Sequence, residues 1–273
     1  MSEFRCEYLD RVLREPDMAS TNVVSALHLS FINCYVECLE RRCDPEVLER
    51  YVSIFSRTVV ADKLRWGFRC DKIRGLLRNA LSYVYSVVDG LRKADFNVFV
   101  LRGELTSRLT IHTRSPQMPL EIGLAWDPYM NLPYIPASSI KGVVGEYFRR
   151  NNVKIGDYTY TKLLGTTEME GLIVFHDSYP VECKDELIHP EVLTPHYIEH
   201  EGRIDEVNVR PRPLTYPTVA PGTVFYIPIA LSKELKLDIN STNELIDKIA
   251  KALENGIGAK TSVGYGYMKV TRA

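Results

Sequence analysis

The stretch "DFNVFVLRGELTSRLTIHT", residues 95–113, marks a change of pattern along the chain. Apolar and polar residues alternate in it, and its valine, phenylalanine and threonine content is typical of a strand. From about residue 20 to 95, by contrast, apolar residues recur at helical spacing. We therefore expect a helical N-terminal region, residues 1–95, followed by a domain of strands and helices, residues 96–273.

The order of elements in the second part predicts a fold class. This β-α-β-β-α-β order is that of the split βαβ, ferredoxin-like fold, which is also the fold of RRM domains. We therefore expect an α+β protein whose sheet leaves one face open to binding. The predicted elements are a strand at 97–113, a helix at 139–151, a strand at 171–176, strands around 187–193 and 222–231, a helix at 242–255 and a strand at 264–271.

A long proline-rich insertion is expected at about 195–221, where five of the 15 prolines lie. A connection of this length inside a compact domain is usually functional or disordered. His196 and Arg210, with basic and aromatic neighbours, suit contact with RNA or with an adjacent protein subunit. The residues alone do not separate these two partners.

Composition and charge limit the classes of function. The chain has 273 residues, of which 45% are hydrophobic and 25% charged, as in ordinary globular proteins. Its net charge of -1 gives no overall attraction to nucleic acid, so a polyanion would need a local basic surface. The start is charged, and no run approaches the roughly 18 apolar residues of a membrane span. We expect a cytoplasmic protein with no membrane contact.

The six cysteines are scattered, which fits a reducing compartment better than a disulfide framework. Cys34, Cys38 and Cys43 are spaced by four and five residues, which does not match paired zinc ligands. We predict that they pack in the core as small apolar side chains. The sequence predicts no metal site and no cofactor.

A candidate binding site begins with "IPASSIKGVVGEYFRR", which starts at residue 135. Ser138 or Ser139 is expected to cap a helix, whose free N–H groups attract anions. On a helical wheel, Lys141, Gly142 and Arg149 lie away from the apolar face. A helical glycine costs about 1 kcal/mol relative to alanine, so Gly142 indicates close approach of a ligand such as a phosphate chain.

A second candidate is the glycine-rich "ENGIGAKTSVGYGYMKV", which starts at residue 254. It differs from a nucleotide-binding P-loop because Ala259 precedes the lysine and because the segment leads from a helix into a strand. Its amides and lysine suit the backbone of a polymer instead. The candidate residues are Gly256, Gly258, Lys260, Thr261, Ser262, Gly264 and Gly266.

Each of these features also has a purely structural explanation. Glycines permit tight turns and close packing, and the lysine and arginine side chains are then ordinary solvated charges. The same alternative applies to Arg108, which is a further candidate RNA contact. With Arg102 and Arg114 it would lie on one face of an unbroken strand.

Together the two stretches resemble the RAMP superfamily of CRISPR RNA-binding proteins. "IPASSIKG" is similar to the family's proline-serine-serine-lysine-glycine motif, and "GIGAKTSVGYG" to its terminal glycine-rich loop. "LTPHY", "LTYPTVAPGTVFYIPI" and "GLIVFHDSYP" are most similar to the sixth-subunit family of type III-B Cmr effector complexes. The resemblance implies a non-catalytic subunit with a ferredoxin-like RAMP domain that holds the 3' part of the CRISPR guide RNA (crRNA). It also implies contact with neighbouring RAMP backbone subunits and the small helical subunit, and indirect contact with target RNA.

Two other functions stay open on the sequence. Some RAMP proteins are metal-independent endoribonucleases that process CRISPR repeat RNA, and His112 or His196 would then be the candidate acid or base. The third possibility is a pure protein-interaction module. Cleavage of repeat RNA, binding without cleavage, and no RNA affinity without partners distinguish the three.

Overall fold

The computed structural model of the protein describes residues 6, 21–115, 117–194, 198–200, 203–205 and 213–273. In these ranges the helices are α1 (Val23–Glu40), α2 (Pro45–Glu49), α3 (Tyr51–Thr58), α4 (Arg65–Gly67), α5 (Arg74–Lys93), α6 (Ala137–Arg150), α7 (Tyr160–Leu164) and α8 (Ile239–Glu254), with a π-helix at Val59–Leu64 and a 3-10 helix at Thr261–Val263. The strands are β1 (Asn97–Leu105), β2 (Trp126–Asp127), β3 (Leu132–Pro133), β4 (Lys154–Ile155), β5 (Tyr158–Thr159), β6 (Ile173–Phe175), β7 (Tyr179–Glu182), β8 (Ile188–Leu193), β9 (Ile198–His200), β10 (Arg203–Asp205), β11 (Leu214–Val219), β12 (Val224–Leu231) and β13 (Met268–Arg272). None of these helices is both long and apolar enough to cross a membrane.

A five-stranded antiparallel sheet forms the centre of the fold. Its strand order is β13-β1-β12-β6, and β7 pairs with the same edge of β12 as β6 does. Helix α6 lies between β1 and β6 in the chain, and α8 lies between β12 and β13. This is the ferredoxin-like arrangement, so the predicted α+β class is confirmed.

The strand predicted at 187–193 is present as β8 but lies outside the central sheet. It pairs with β11, in a register that runs from Ile188 opposite Val219 to Leu193 opposite Leu214. β11 itself falls inside the segment predicted to be a proline-rich insertion. In the central sheet, the position next to β1 on the side away from β13 is occupied by β12.

Helices cover both faces of the central sheet. On one face Ile227 of β12 is buried, and Arg272 of β13 donates a hydrogen bond to Oδ1 of Asn243 in α8 at 2.7 Å. On the other face the ring of Tyr226 in β12 meets the ring of Tyr85 in α5 edge to face, with centroids 6.4 Å apart. The expectation of an open sheet face is therefore wrong, because α5 occupies that face.

β1 is shorter than the strand predicted at 97–113. After its last residue the chain leaves the central sheet, and Leu109 exchanges backbone hydrogen bonds of 3.0 and 2.8 Å with Val219 of β11. Of the three arginines expected on one strand face, only Arg102 belongs to the strand. The predicted row of Arg102, Arg108 and Arg114 is therefore wrong.

The cysteines are not free core side chains, because they pair as Cys6–Cys34, Cys38–Cys43 and Cys70–Cys183. The prediction that Cys34, Cys38 and Cys43 are unpaired side chains in the core is therefore wrong, although Cys34 and Cys38 are buried as expected. Cys70 lies shortly before α5, and Cys183 directly follows β7. This bond therefore joins the helical part of the chain to the sheet.

Replacing Cys70 and Cys183 by serine should lower the free energy of unfolding more than replacing Cys38 and Cys43. The first pair is separated by 113 residues and the second by 5. Because a cross-link over a longer loop removes more entropy from the unfolded chain, we expect losses of about 4–5 and about 2 kcal/mol respectively. Urea unfolding of the oxidised proteins measures both losses. Equal losses would contradict the entropic account.

Candidate nucleic-acid interface

Helix α6 begins directly before the two serines of its first turn. Its N-cap is Pro136, and Oδ1 of Asp177 accepts a hydrogen bond from the N–H of Ala137 at 2.7 Å. The expectation that Ser138 or Ser139 caps the helix is therefore wrong. Ser138 is exposed and Ser139 half-buried, and neither hydroxyl has a partner among the residues that the structure describes.

α6 buries one side and exposes the other, as predicted. Ile140, Val144 and Phe148 are buried in the core, whereas Lys141 and Gly142 are exposed. A Cβ placed on Gly142 would have no heavy atom within 4 Å. Packing within the described structure therefore does not require a glycine at this position, and its backbone is open to approach from outside.

The predicted cations of α6 differ in their surroundings. Arg149 pairs with Glu146 at N–O distances of 2.8 to 3.0 Å, and Arg150 binds the same carboxylate. Hydrogen bonds from Arg149 and then Arg150 lower the pKa of Glu146. Lys141 forms no ion pair within the described ranges of the chain. It is therefore the cation of this helix that has no carboxylate partner in those ranges.

Two glycines of the glycine-rich loop are required by packing. Gly258 has φ +89°, and a Cβ on it would overlap the carbonyl oxygen of Thr110. Gly266 has φ +72°, and a Cβ on it would overlap the carbonyl oxygen of Ile257. At these positions the structural explanation is sufficient. A Cβ on Gly264 would have no heavy atom within 4 Å, but its φ of +97° is a left-handed conformation that favours glycine for structural reasons as well.

Backbone hydrogen bonds tie this loop to the segment that follows β1. The N–H of Ala259 donates to the carbonyl of Thr110 at 2.8 Å, and the N–H of Gly266 donates to the carbonyl of Arg108 at 2.7 Å. Part of the loop's amide groups are thus used within the fold. A ligand can meet only those that remain.

The remaining amides belong to the outer turn of the loop. Ser262 is exposed, and Thr261 is half-buried against Gly256, whose Cβ would lie 3.0 Å from Cγ2 of Thr261. The N–H groups of Lys260, Thr261 and Ser262 have no hydrogen-bond partner in the described structure. This turn therefore offers three amides and a hydroxyl to a ligand.

Lys260 and Arg108 are both half-buried, and each is bound to a neighbouring segment of the fold. Nζ of Lys260 donates to the hydroxyl of Tyr216 at 2.9 Å and lies 4.7 Å from that ring and 5.7 Å from the ring of Tyr265. Arg108 forms an ion pair with Glu191 of β8, which also accepts a hydrogen bond from the Tyr265 hydroxyl. Burial and then this hydrogen bond raise the pKa of Tyr265, so the phenol keeps its proton and its role as donor. These contacts fix the loop against β8 and β11.

Sequence reasoning missed the partners of these two cations. Tyr216 lies 44 residues from Lys260, and Glu191 lies 83 residues from Arg108. Glu191 belongs to no motif singled out in the sequence, and nothing in the stretch that contains Tyr216 indicates a contact with Lys260. Only the pairing of β8 with β11 brings Glu191 and Tyr216 together, since they stand opposite each other in that register.

Both candidate segments line one cleft of about 600 Å³. The N-terminal half of α6 forms one side, the glycine-rich loop another, and the segment after β1 a third. The lining residues are Ile111, His112, Thr113, Arg114, Ser139, Gly142, Val143, Gly258 and Ala259. His112 and Arg114 are exposed there, and His112 has φ +53°. The fold therefore brings two distant motifs to one opening.

The proline-rich insertion is described only in part. β9 and β10 pair within it. His196 and Arg210 lie outside the described residues. Their contact with RNA or with a neighbouring subunit stays a prediction.

The chain matches known proteins over most of its length. The RAMP superfamily model matches residues 104–269. The CRISPR system CMR subunit Cmr6 of Saccharolobus solfataricus is 31% identical over 202 residues, which are 74% of this chain and 63% of that protein. The chain thus spans less than two thirds of that relative's length. A chain in the cryo-EM structure of the type III-B Cmr-beta bound to cognate target RNA is 27% identical, with a TM-score of 0.75 over 97% of this chain and 96% of that one.

Proposed function

Because the chain belongs to the RAMP superfamily, we propose that it is a guide-RNA-binding subunit of a type III-B CRISPR effector complex. Its similarity to Cmr6 and to a chain of a Cmr-beta complex bound to target RNA supports this proposal. In this role it holds the 3' part of the crRNA and contacts neighbouring RAMP backbone subunits and the small helical subunit. Target RNA then reaches it only through the guide.

The observation that carries the proposal is the shared cleft of about 600 Å³. It brings together an exposed helix turn next to Lys141, the glycine-rich loop, and a third wall that carries an exposed arginine. The amides of Lys260, Thr261 and Ser262, which have no partner in the described structure, follow directly after the part of the loop that lines it. Single-stranded RNA is commonly bound in grooves where cations and amides follow the phosphate backbone. The cleft offers these groups without a deep pocket for one nucleotide.

The residues around the cleft divide into two roles. Lys141 supplies charge and Gly142 permits close approach of the phosphate chain, while Arg114 supplies a second cation from the facing wall. Arg108 and Lys260 have a structural role instead, because their contacts with β8 and β11 hold the glycine-rich loop in position. Our proposal thus keeps the predicted residues but gives their cations different roles.

Binding without cleavage fits the side chains of the cleft. Among the residues that line it, His112 is the one imidazole and none carries a carboxylate. Cleavage of the strand requires a general acid and a general base beside the scissile phosphate. A single histidine supplies one of the two, so we propose that this subunit holds RNA and does not cut it.

Lys141→Ala should weaken binding of a single-stranded guide RNA and reduce the slope of log affinity against log salt by about 0.7, the value for one phosphate contact. Fluorescence anisotropy over a series of salt concentrations measures both effects. Arg149→Ala is the matched control, because Arg149 is held by the Glu146 carboxylate and does not line the cleft. Equal changes in the two variants would contradict the role given to Lys141.

Gly142→Leu should stabilise the fold and weaken RNA binding at the same time. Leucine favours a helix over glycine by about 0.8 kcal/mol, and the new side chain would stand where the phosphate chain approaches. Gly90→Leu in α5 is the control, since a Cβ at Gly90 also has no atom within 4 Å. We expect similar stabilisation of both variants in urea and a loss of RNA affinity of about tenfold for Gly142→Leu alone. Unchanged affinity of Gly142→Leu would exclude this approach path.

The endoribonuclease is the second candidate, because His112 is exposed in the cleft. We expect neither the natural protein nor His112→Ala to cleave CRISPR repeat RNA in the presence of a chelator. Gel electrophoresis of labelled RNA detects the products. Cleavage by the natural protein that disappears in His112→Ala would replace our proposal with the enzymatic one.

A further inference from the structure

Helix α1 buries one apolar face and exposes large apolar side chains on the other, together with Ser25 and His28. It contains no Asp, Glu, Lys or Arg from Val23 to Val36. Its inner face, which includes Leu27, is buried in the core. Helix α5 also lies at the surface, yet its outer face carries exposed Arg78 and Asp89. Because a contiguous patch of exposed large apolar side chains usually marks an interaction site, the outer face of α1 requires an explanation.

The outer face of α1 forms a continuous line. We define its outer stripe as Leu29, Ile32, Tyr35, Val36 and Leu39, which are 53, 58, 40, 44 and 49% exposed. Leu29, Ile32, Val36 and Leu39 follow one another at intervals of three, four and three, which aligns them along one side of a helix. The line is about 15 Å long at 1.5 Å per residue. A straight, narrow line of this spacing is the surface against which a second helix packs.

The size of the outer stripe argues against a second copy of this chain. Its side chains expose on the order of 400 Å², which is typical of functional patches on monomers. Symmetric pairing through the stripe would bury about 800 Å² in total, whereas stable interfaces bury roughly 1,200–2,000 Å². A partner that is also held by other contacts needs no larger patch.

Two other ways of covering the stripe fit less well. Helices that lie on lipid carry lysine or arginine beside their apolar face, and α1 has neither before residue 41. The second alternative is that the start of the chain, which is joined to α1 by the Cys6–Cys34 disulfide, covers the stripe. Cys34 is buried on the inner face, so this tie does not reach the outer stripe.

We propose that the outer stripe of α1 is the docking surface for an amphipathic helix of another protein subunit. The partner helix presents its own apolar line at intervals of three and four residues, and further contacts hold it to this chain. The inference rests on the proposed function in one respect, namely that the chain is one subunit of a larger complex.

Photo-crosslinking within the complex tests which molecule covers the stripe. A photoreactive phenylalanine analogue is placed at Ile32 in the full chain, which is co-expressed with the other effector subunits and purified as the complex. We expect one dominant cross-link, mapped by mass spectrometry to a helical segment of a single other subunit. The control position is Ile239, which is 71% exposed outside the stripe. Cross-links from Ile32 to a second copy, to residues 7–20 of the same chain, or to nothing would overturn the proposal.

The double variant Ile32→Lys, Val36→Lys tests the energetic role of the stripe. We expect at least a tenfold lower fraction of the chain in the purified complex, unchanged affinity for guide RNA, and a melting temperature close to that of the natural protein, because both side chains are already about half exposed. Ile239→Lys should enter the complex normally.

The possible results separate this inference from the proposed function. Normal entry of the double variant into the complex would overturn the docking surface alone. Failure of the natural chain to enter any complex would overturn the proposed function and the docking surface with it. Binding of the isolated chain to phosphatidylserine vesicles that the double variant loses would replace the helix by a lipid surface.

Discussion

β1 is hydrogen-bonded along both of its edges, to β12 on one side and to β13 on the other. Because β13 runs antiparallel to β1, the glycine-rich loop that leads into β13 lies at the end of the sheet where β1 finishes. The connection that feeds α6 starts from that same end. The two motifs are far apart in the chain, and the direction of these three strands is what makes them neighbours.

The order of elements could be predicted from the sequence, whereas the pairing of strands could not. Leu109 and Ile111 are buried and continue the alternation of β1, so local periodicity extends the strand to residue 113. Hydrophobic periodicity reports which side chains face a core, and not which strand supplies the hydrogen bonds. Leu109 bonds to Val219 of β11, and this change of partner ends β1.

The same limit applies to the candidate site. The sequence indicates Gly142 and Gly266 equally as candidate binding residues. Of the two, only Gly266 has a carbonyl oxygen at the position that an added Cβ would occupy. Lys141 and Lys260 are likewise equivalent until Tyr216 is seen to accept a hydrogen bond from Lys260. Which of several similar residues is free depends on neighbours from distant segments, and motif spacing contains no information about them.

The disulfide between Cys70 and Cys183 fastens the start of α5 to the end of β7. α5 is thereby fixed against the sheet face that corresponds to the base-stacking face of RRM domains. If the chain binds RNA as we propose, the strand would meet the rim of the sheet, where the cleft lies, and not this covered face. Under the proposed function, contacts of that kind would hold a guide by its sugars and phosphates, without regard to its base sequence.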